Sequence, residues 1–229
     1  MKLNTKGLLV VISGPSGVGK GTVRSALFKR EGHDLVYSVS MTTRKPRVGE
    51  ENGREYYFVS EEEFKKRIEE GKFLEYTQFV GNYYGTPLDK VNEHLENGKE
   101  VVLEIEVEGA SQVREKMPDG VFIFVAPPTM QDLKKRLRSR GTESEEVIKE
   151  RYDKARREIG LARLYDYIVV NDTVENAADK IMAIIRSEHA RTRRSLTGYN
   201  KLLEEAQNEY WEWWNEISFN WSVSNKNFI

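Results

Sequence analysis

The sequence predicts an α/β fold built on a parallel sheet, and three observations predict it. Short apolar runs rich in β-branched residues recur at residues 8–12, 101–103, 121–125 and 167–170, with the length and composition of strands buried on both faces. Segments with apolar residues three and four apart separate these runs, the spacing of amphipathic helices. The first run passes through a glycine-rich loop straight into such a helical pattern, carried by Val23, Ala26 and Leu27. Strands alternating with helices give a parallel sheet with right-handed crossovers. Five core strands are expected, at residues 7–13, 35–40, 101–109, 121–125 and 165–170.

The loop is Gly14-Pro15-Ser16-Gly17-Val18-Gly19-Lys20-Gly21-Thr22, and it fits the phosphate-loop pattern G-x-x-x-x-G-K-[ST] at every fixed position. Glycines let successive backbone N–H groups point into one concavity, because no side chain blocks it. The positive end of the following helix adds to that field. Lys20 is a compact point charge that can reach the terminal phosphates, and the Thr22 hydroxyl can ligate Mg²⁺. The stretch therefore predicts a site for a nucleoside triphosphate.

Composition narrows the class. The 229 residues suffice for one domain of about 190 residues and an appendage. The chain has no cysteine, which excludes disulfides, cysteine-ligated zinc and a thiol nucleophile. A net charge of −1 gives no global basic field, so no nucleic-acid partner is expected. No run of about 18 apolar residues occurs and the first residues lack a signal-peptide core, so no membrane partner is expected and the expected location is the cytoplasm. Three histidines stand apart in sequence, at 33, 94 and 189, and form no metal-binding spacing.

Along the chain, residues 35–40 alternate as a strand and lead into Met41-Thr42-Thr43-Arg44-Lys45-Pro46-Arg47-Val48-Gly49-Glu50. Two arginines three apart among hydroxyls and turn residues make an anion clamp, since a guanidinium matches phosphate oxygens in a planar fork. A solvated basic loop has the same composition. Residues 56–59 read as a strand, and Ser60 with Glu63 is a capping box opening a helix that Gly71 closes. Residues 73–80 return as a strand bearing Glu75, and residues 81–82 turn the chain. Residues 40–88 thus read as a small β-rich insertion. Glu75 is either a surface carboxylate or one that accepts two N–H groups from a purine edge.

A helix is expected over 88–97, then the strand 101–109, whose carboxylates fall at its carboxyl end, where open α/β sheets place ligands. Glu104 and Glu106 would share a face by the two-residue period. A helix over 110–117 and the strand 121–125 follow. Thr129 caps a helix ended by Gly141, and residues 142–145 start another. Arg136 and Arg140, at i and i+4, share a face. With Arg151 they converge if the two helices form a hairpin, either as a mobile lid over the phosphate loop or as a solvated charged pair. The last core strand ends at Asn171, and residues 174–188 form the closing helix.

Residues 190–229 differ in kind, and all four tryptophans lie there. Leu196, Tyr199, Leu203, Ala206, Tyr210, Trp213 and Ile217 follow a heptad-like seam that Gly198 weakens. The helix either packs on its own domain or makes a homodimer through residues 190–217. Residues 222–229 are expected to fray.

From about residue 6 to residue 188 the chain resembles guanylate kinases, which are ATP:GMP phosphotransferases. The segments carrying the resemblance are 13–22, 38–58, 81–87, 136–143 and 169–172. The resemblance implies a three-part P-loop kinase: a parallel five-stranded core sheet flanked by helices, a GMP-binding insertion at about 40–88 and a helical lid at about 129–157. It implies that Gly14 to Thr22 bind ATP with Mg²⁺ and that Asn171 binds ATP near the adenine. It implies that Ser40, Arg44, Arg47, Tyr56 and Tyr84 hold the GMP phosphate, and that Glu75, Thr86 and Glu106 read guanine. Lys20, Arg44, Arg136, Arg140 and Arg151 would neutralise the transferring group. Many members carry Asp where this chain has Glu104 and Glu106, each one methylene longer. The resemblance leaves 189–229 as a tryptophan-rich helical extension.

Overall fold

The computed structural model describes residues 6–139 and 144–224, excepting the side chains of residue 197 and residues 216–224. In chain order the elements are β1 (Leu9–Ser13), α1 (Lys20–Phe28), β2 (Leu35–Tyr37), β3 (Met41–Thr42), β4 (Tyr57–Phe58), α2 (Glu61–Glu69), β5 (Phe73–Phe79), β6 (Asn82–Pro87), α3 (Leu88–Glu96), β7 (Glu100–Glu104), α4 (Val107–Lys116), β8 (Val121–Ala126), α5 (Met130–Arg138), α6 (Glu145–Gly160), a 3₁₀ turn (Ala162–Leu164), β9 (Tyr167–Val170), α7 (Val174–His189) and α8 (Thr192–Ser224).

The predicted α/β class with a five-stranded parallel sheet is what the chain forms. The strand order is β2-β7-β1-β8-β9, and all four pairings are parallel. β1 is buried along its whole length because Val10 and Ile12 pack on one face of the sheet and Leu9 and Val11 on the other. Two cores thus sandwich the sheet, and an alternating strand of purely apolar residues satisfies both. The chain leaves β1 for β2 on one side and later reaches β8 on the other, so the carboxyl end of β1 is a topological switch point. A crevice for a ligand opens at such a point.

A second sheet, ordered β4-β3-β6-β5, occupies residues 41–87. Its antiparallel pair β5–β6 carries a register shift between Phe73 and Glu75. At this irregularity three consecutive residues are buried in different surroundings. Phe73 stacks on Phe64 at a 4.2 Å ring separation in a small core of its own. Leu74 enters the main core beside Leu9 and Val11. Glu75 lines a cavity. A bulge re-aims side chains in this way.

Helix starts follow the expected caps. Ser60 Oγ accepts the Glu63 N–H at 3.1 Å, and Thr129 Oγ1 accepts the Asp132 N–H at 3.0 Å. Ser144 caps α6 by accepting from Val147. The chain divides into two compact units, Lys6–Ser187 and the segment from Glu188 onward. In the second, Glu188 is buried and pairs with Arg191 and Arg194 at 3.2 Å each. Along α8, Leu196, Tyr199, Leu203, Tyr210 and Trp213 are exposed. α8 runs to Ser224, past the residue 222 at which fraying was expected.

Candidate active site

The phosphate loop is shaped by what lies behind it. Gly14 has φ +148°, and a Cβ there would sit 2.3 Å from the Val125 carbonyl oxygen, so only glycine fits against β8. Gly19 has φ +94° and ends the loop as the N-cap of α1. The Asn171 amide donates to the Val18 carbonyl at 2.8 Å, and Arg136 donates to the same carbonyl at 3.0 Å and to the Asn171 carbonyl at 2.9 Å. With its carbonyls so held from outside, the loop keeps its N–H groups turned inward. Lys20 Nζ donates to the Gly14 and Pro15 carbonyls at 2.6 and 3.3 Å. Burial lowers its pKa, and Glu104, Glu158 and Glu106 oppose that shift.

A cleft of about 510 Å³ runs from this loop to the second sheet. At the loop end it is lined by Ser16, Gly19, Lys20 and Thr22, and at the far end by Ser40, Tyr56, Glu75 and Tyr84, with Glu104 and Glu106 between. Glu75 is only 6% exposed. It accepts a 2.6 Å hydrogen bond from Thr86 Oγ1. Burial raises its pKa against the pull of the Thr86 hydrogen bonds and of Lys116. A Cβ on Gly109 would come within 3.0 Å of Glu75 Oε2, so the bare backbone of α4 makes room for the carboxylate. That explains a glycine inside a helix, where it costs about 1 kcal/mol relative to alanine.

Near that end, Tyr56 and Tyr84 meet edge to face at 5.9 Å, and the Arg44 guanidinium lies 5.4 Å from the Tyr56 ring centre. Arg44 and the Arg47 backbone are tied to one carboxylate. Glu50 receives Arg44 Nη2 on both oxygens at 3.0 and 2.9 Å and the Arg47 N–H at 2.8 Å. Those contacts draw its carboxyl below the usual range, the Arg47 N–H most of all. Sequence reasoning missed this staple, although Glu50 closes the very loop it singled out.

Of the lid arginines, Arg151 lines the cleft and donates to Ser16 Oγ at 3.0 Å. Arg136 grips the loop from behind, as does Asn171. Arg140 lies outside the described residues. Glu106 pairs with Lys154 of α6 at 2.6 Å.

The expected strand over 101–109 is corrected: β7 ends at Glu104 and α4 begins at Val107, three residues before the expected helix. Ile105 still donates to the Ile12 carbonyl at 3.2 Å, but β1 ends one residue later, at Ser13, and leaves no ladder partner beyond. Glu106 becomes the extended N-cap of α4. Both carboxylates nevertheless reach the cleft.

Thr22 and Glu104 both line the cleft, and the Glu104 oxygens lie 3.4 and 3.8 Å from where a Cβ on Gly21, the residue before Thr22, would be. Glu104 also pairs with Arg24 at 2.9 Å. A hydroxyl and a carboxylate are hard oxygen donors that suit Mg²⁺, which keeps water and phosphate oxygens in its other positions. Among the described residues no group of three or more His, Cys, Asp or Glu is arranged to hold a metal alone.

One cleft joining a phosphate loop to a buried carboxylate defines a class, the P-loop nucleoside monophosphate kinases. The guanylate kinase family model matches residues 6–188. The guanylate kinase of Aster yellows witches'-broom phytoplasma is 59% identical over 206 residues, which are 90% of this chain and 98% of that protein. That of Lactobacillus acidophilus is 59% identical over 200 residues, 87% and 98% of the two chains. The crystal structure of guanylate kinase from Anaplasma phagocytophilum superposes with a TM-score of 0.69 at 35% identity, covering 88% of this chain and 95% of the other. The chain belongs to the guanylate kinase family, whose reaction is phosphoryl transfer between ATP and GMP.

Proposed function

We propose that the protein transfers the γ-phosphoryl group of ATP to GMP, giving ADP and GDP, in the recycling of GMP within purine nucleotide metabolism in the cytoplasm. The observation that carries this reading is that the buried Glu75, which accepts from Thr86, lines the same cleft as Lys20. An ionised carboxylate accepts from guanine N1–H and N2–H₂ together, and it repels the N1 lone pair of adenine. Among the described residues no helix is long and apolar enough to cross a membrane.

A GMP phosphate oxygen attacks the γ-phosphorus in line. Phosphomonoesters are largely dianionic at neutral pH, so no side chain need take a proton. The work left to the protein is positioning and charge neutralisation. Lys20 and the loop N–H groups hold the donor phosphates, while Arg44, Arg47, Ser40, Tyr56 and Tyr84 hold the acceptor phosphate. Glu75, Thr86 and Glu106 fix the base, and Arg151, with Arg136 and Arg140, supplies positive charge from the lid. Thr22 and Glu104 would hold Mg²⁺, which when bound withdraws charge from the donor phosphates. The reading assigns catalysis to residues 6–188, with the insertion at about 40–88 and the lid at about 129–157, and sets 189–229 apart as an extension.

The test is an ADP-release assay with ATP, Mg²⁺ and one acceptor at a time. Turnover is expected with GMP and not with AMP, UMP or dTMP. Equal turnover with AMP would remove Glu75 from its role.

A homodimer through residues 190–217 belongs to the same proposal. The exposed seam of α8 supports it, and so does its charge. Arg191, Arg193 and Arg194 stand at the start of the segment, whereas Glu204, Glu205, Glu209 and Glu212 crowd its later half. An antiparallel pairing of two copies sets one against the other. Light scattering of the full chain should give twice 26.6 kDa, and Leu203→Glu with Tyr210→Glu should return the mass to that of one chain with GMP turnover kept. A parent protein of single-chain mass would end this part of the proposal.

A further inference from the structure

Helix α6 grips one residue of the phosphate loop at two points. Arg151 donates from Nε and Nη2 to Ser16 Oγ at 3.3 and 3.0 Å. Two turns on, Glu158 Oε2 accepts the Ser16 N–H at 3.3 Å. Residues seven apart lie on one helix face. Lys154 completes that face, 3.7 Å from Glu158 and 2.6 Å from Glu106.

Glu158 is unexpected where it stands. It is 7% exposed and lines the cleft close to Lys20. A carboxylate there opposes the incoming phosphates, and no stage of phosphoryl transfer consumes it. Burial pushes its pKa up, with Lys154, the Ser16 N–H and Lys20 pulling the other way. A buried anion beside an anion site is costly. Its contact with the loop N–H gives it a use: with Arg151 also on Ser16, α6 is fixed in height and rotation against the loop.

We propose that Glu158 is a positioning residue that pins α6 to the phosphate loop, so that Arg151 can leave the Ser16 hydroxyl for the transferring phosphoryl group without the helix shifting. The Ser16 hydroxyl then serves Arg151 as a neutral resting place, and Glu158 as the pivot. This rests on the reading of Arg151 given above. It accounts for the uneven chemistry of the two contacts. The Arg151 contact is to a side chain that can rotate away, whereas the Glu158 contact is to backbone that cannot. It also gives Lys154 a part, as the neighbour 3.7 Å away that holds the Glu158 side chain on that face.

The test is a mutant cycle on the full chain, read as kcat, the KM for each substrate and Tm. Glu158→Ala should lower kcat about 10- to 100-fold, with the KM for GMP near that of the parent, since misplacing a transition-state contact costs rate more than binding. Glu158→Gln should keep most of the rate, because a carboxamide oxygen accepts the same N–H. In an Arg151→Ala background, Glu158→Ala should cost less than about twofold more, because the residue it positions is gone. Parent-like kcat in Glu158→Ala, additive losses in the double variant, or a Gln variant as slow as Ala would each overturn the pivot while leaving the role of Arg151 intact. Parent-like kcat in Arg151→Ala would overturn both.

Discussion

Lys20→Ala turns GMP over about three orders of magnitude more slowly than the parent, the scale expected for loss of a preorganised charge at a developing anionic transition state. Lys20 Nζ is tied to the Gly14 and Pro15 carbonyls. The ammonium is therefore in place before substrate arrives, and alanine leaves a neutral gap at the mouth of the loop. Lys20→Arg is expected to fail almost as badly, since the planar, larger guanidinium cannot meet two carbonyls of one tight turn as a point charge does. Because burial lowers the lysine pKa, the parent rate should begin to fall at lower alkaline pH than an exposed lysine would dictate. Rate measurements with ATP and GMP both saturating decide the matter, and an alanine variant within about threefold of parent kcat would sink the assignment.

Glu75→Gln should raise the KM for GMP about 100-fold and at the same time make the protein harder to melt. The binding loss follows from exchanging an acceptor of two N–H groups for an amide that presents an N–H₂ to one of them. The stability gain follows from the sign of the shift. Burial raises the folded pKa of Glu75 above its unfolded value. Above both values the folded protein carries a buried charge that the unfolded chain leaves in water, and this lowers stability. Below the unfolded pKa the carboxyl is protonated in both states and the penalty is gone. Glutamine keeps the Thr86 hydrogen bond without the charge, so near neutral pH it should add ~1 kcal/mol, or about 2–4 °C in Tm. The gain should vanish towards acid. The KM for GMP of the parent should rise as pH falls through the raised pKa, and that dependence should be missing from Glu75→Gln. A variant that neither loses GMP affinity nor gains stability would place Glu75 outside the recognition of the base.

Both residues were legible in the sequence, though for unequal reasons. Lys20 sits in a local pattern whose spacing alone dictates geometry, because a six-residue loop between a strand that ends at Ser13 and a helix that starts at Lys20 has few ways to fold. The three central strands were legible because Val10, Ile12, Val102 and Ile123 are buried on one face of the sheet and Leu9, Val11, Val101 and Phe122 on the other, which demands apolar residues in succession. Glu75 could be read from the sequence in two ways, and only a bulge between Phe73 and Glu75 decides which way it points. The end of β7 was misjudged because Glu104, Glu106 and Glu108 alternate like a strand, and alternation cannot report that the neighbouring strand has already left the sheet. Glu158 and Ser16 are 142 residues apart in sequence, and no local spacing encodes a contact of that range. Glu50 is a different case: its partners are three and six residues away. A carboxylate closing a basic loop is a signal that a search for charge compensation would have found.

The placement of the tryptophans in α8 has a spectroscopic consequence. All four lie between residues 211 and 221, and none in Lys6–Ser187. Indole fluorescence is therefore silent about the kinase unit and speaks for one helix alone, where Trp211, Trp213 and Trp214 are exposed. Nucleotide titrations followed at indole wavelengths would miss substrate binding that leaves α8 undisturbed. Melting curves followed there would record the helix and leave the loss of the cleft to tyrosine emission or to circular dichroism. An emission shift towards the blue on raising protein concentration would mark indoles passing out of water, with no label attached to the chain.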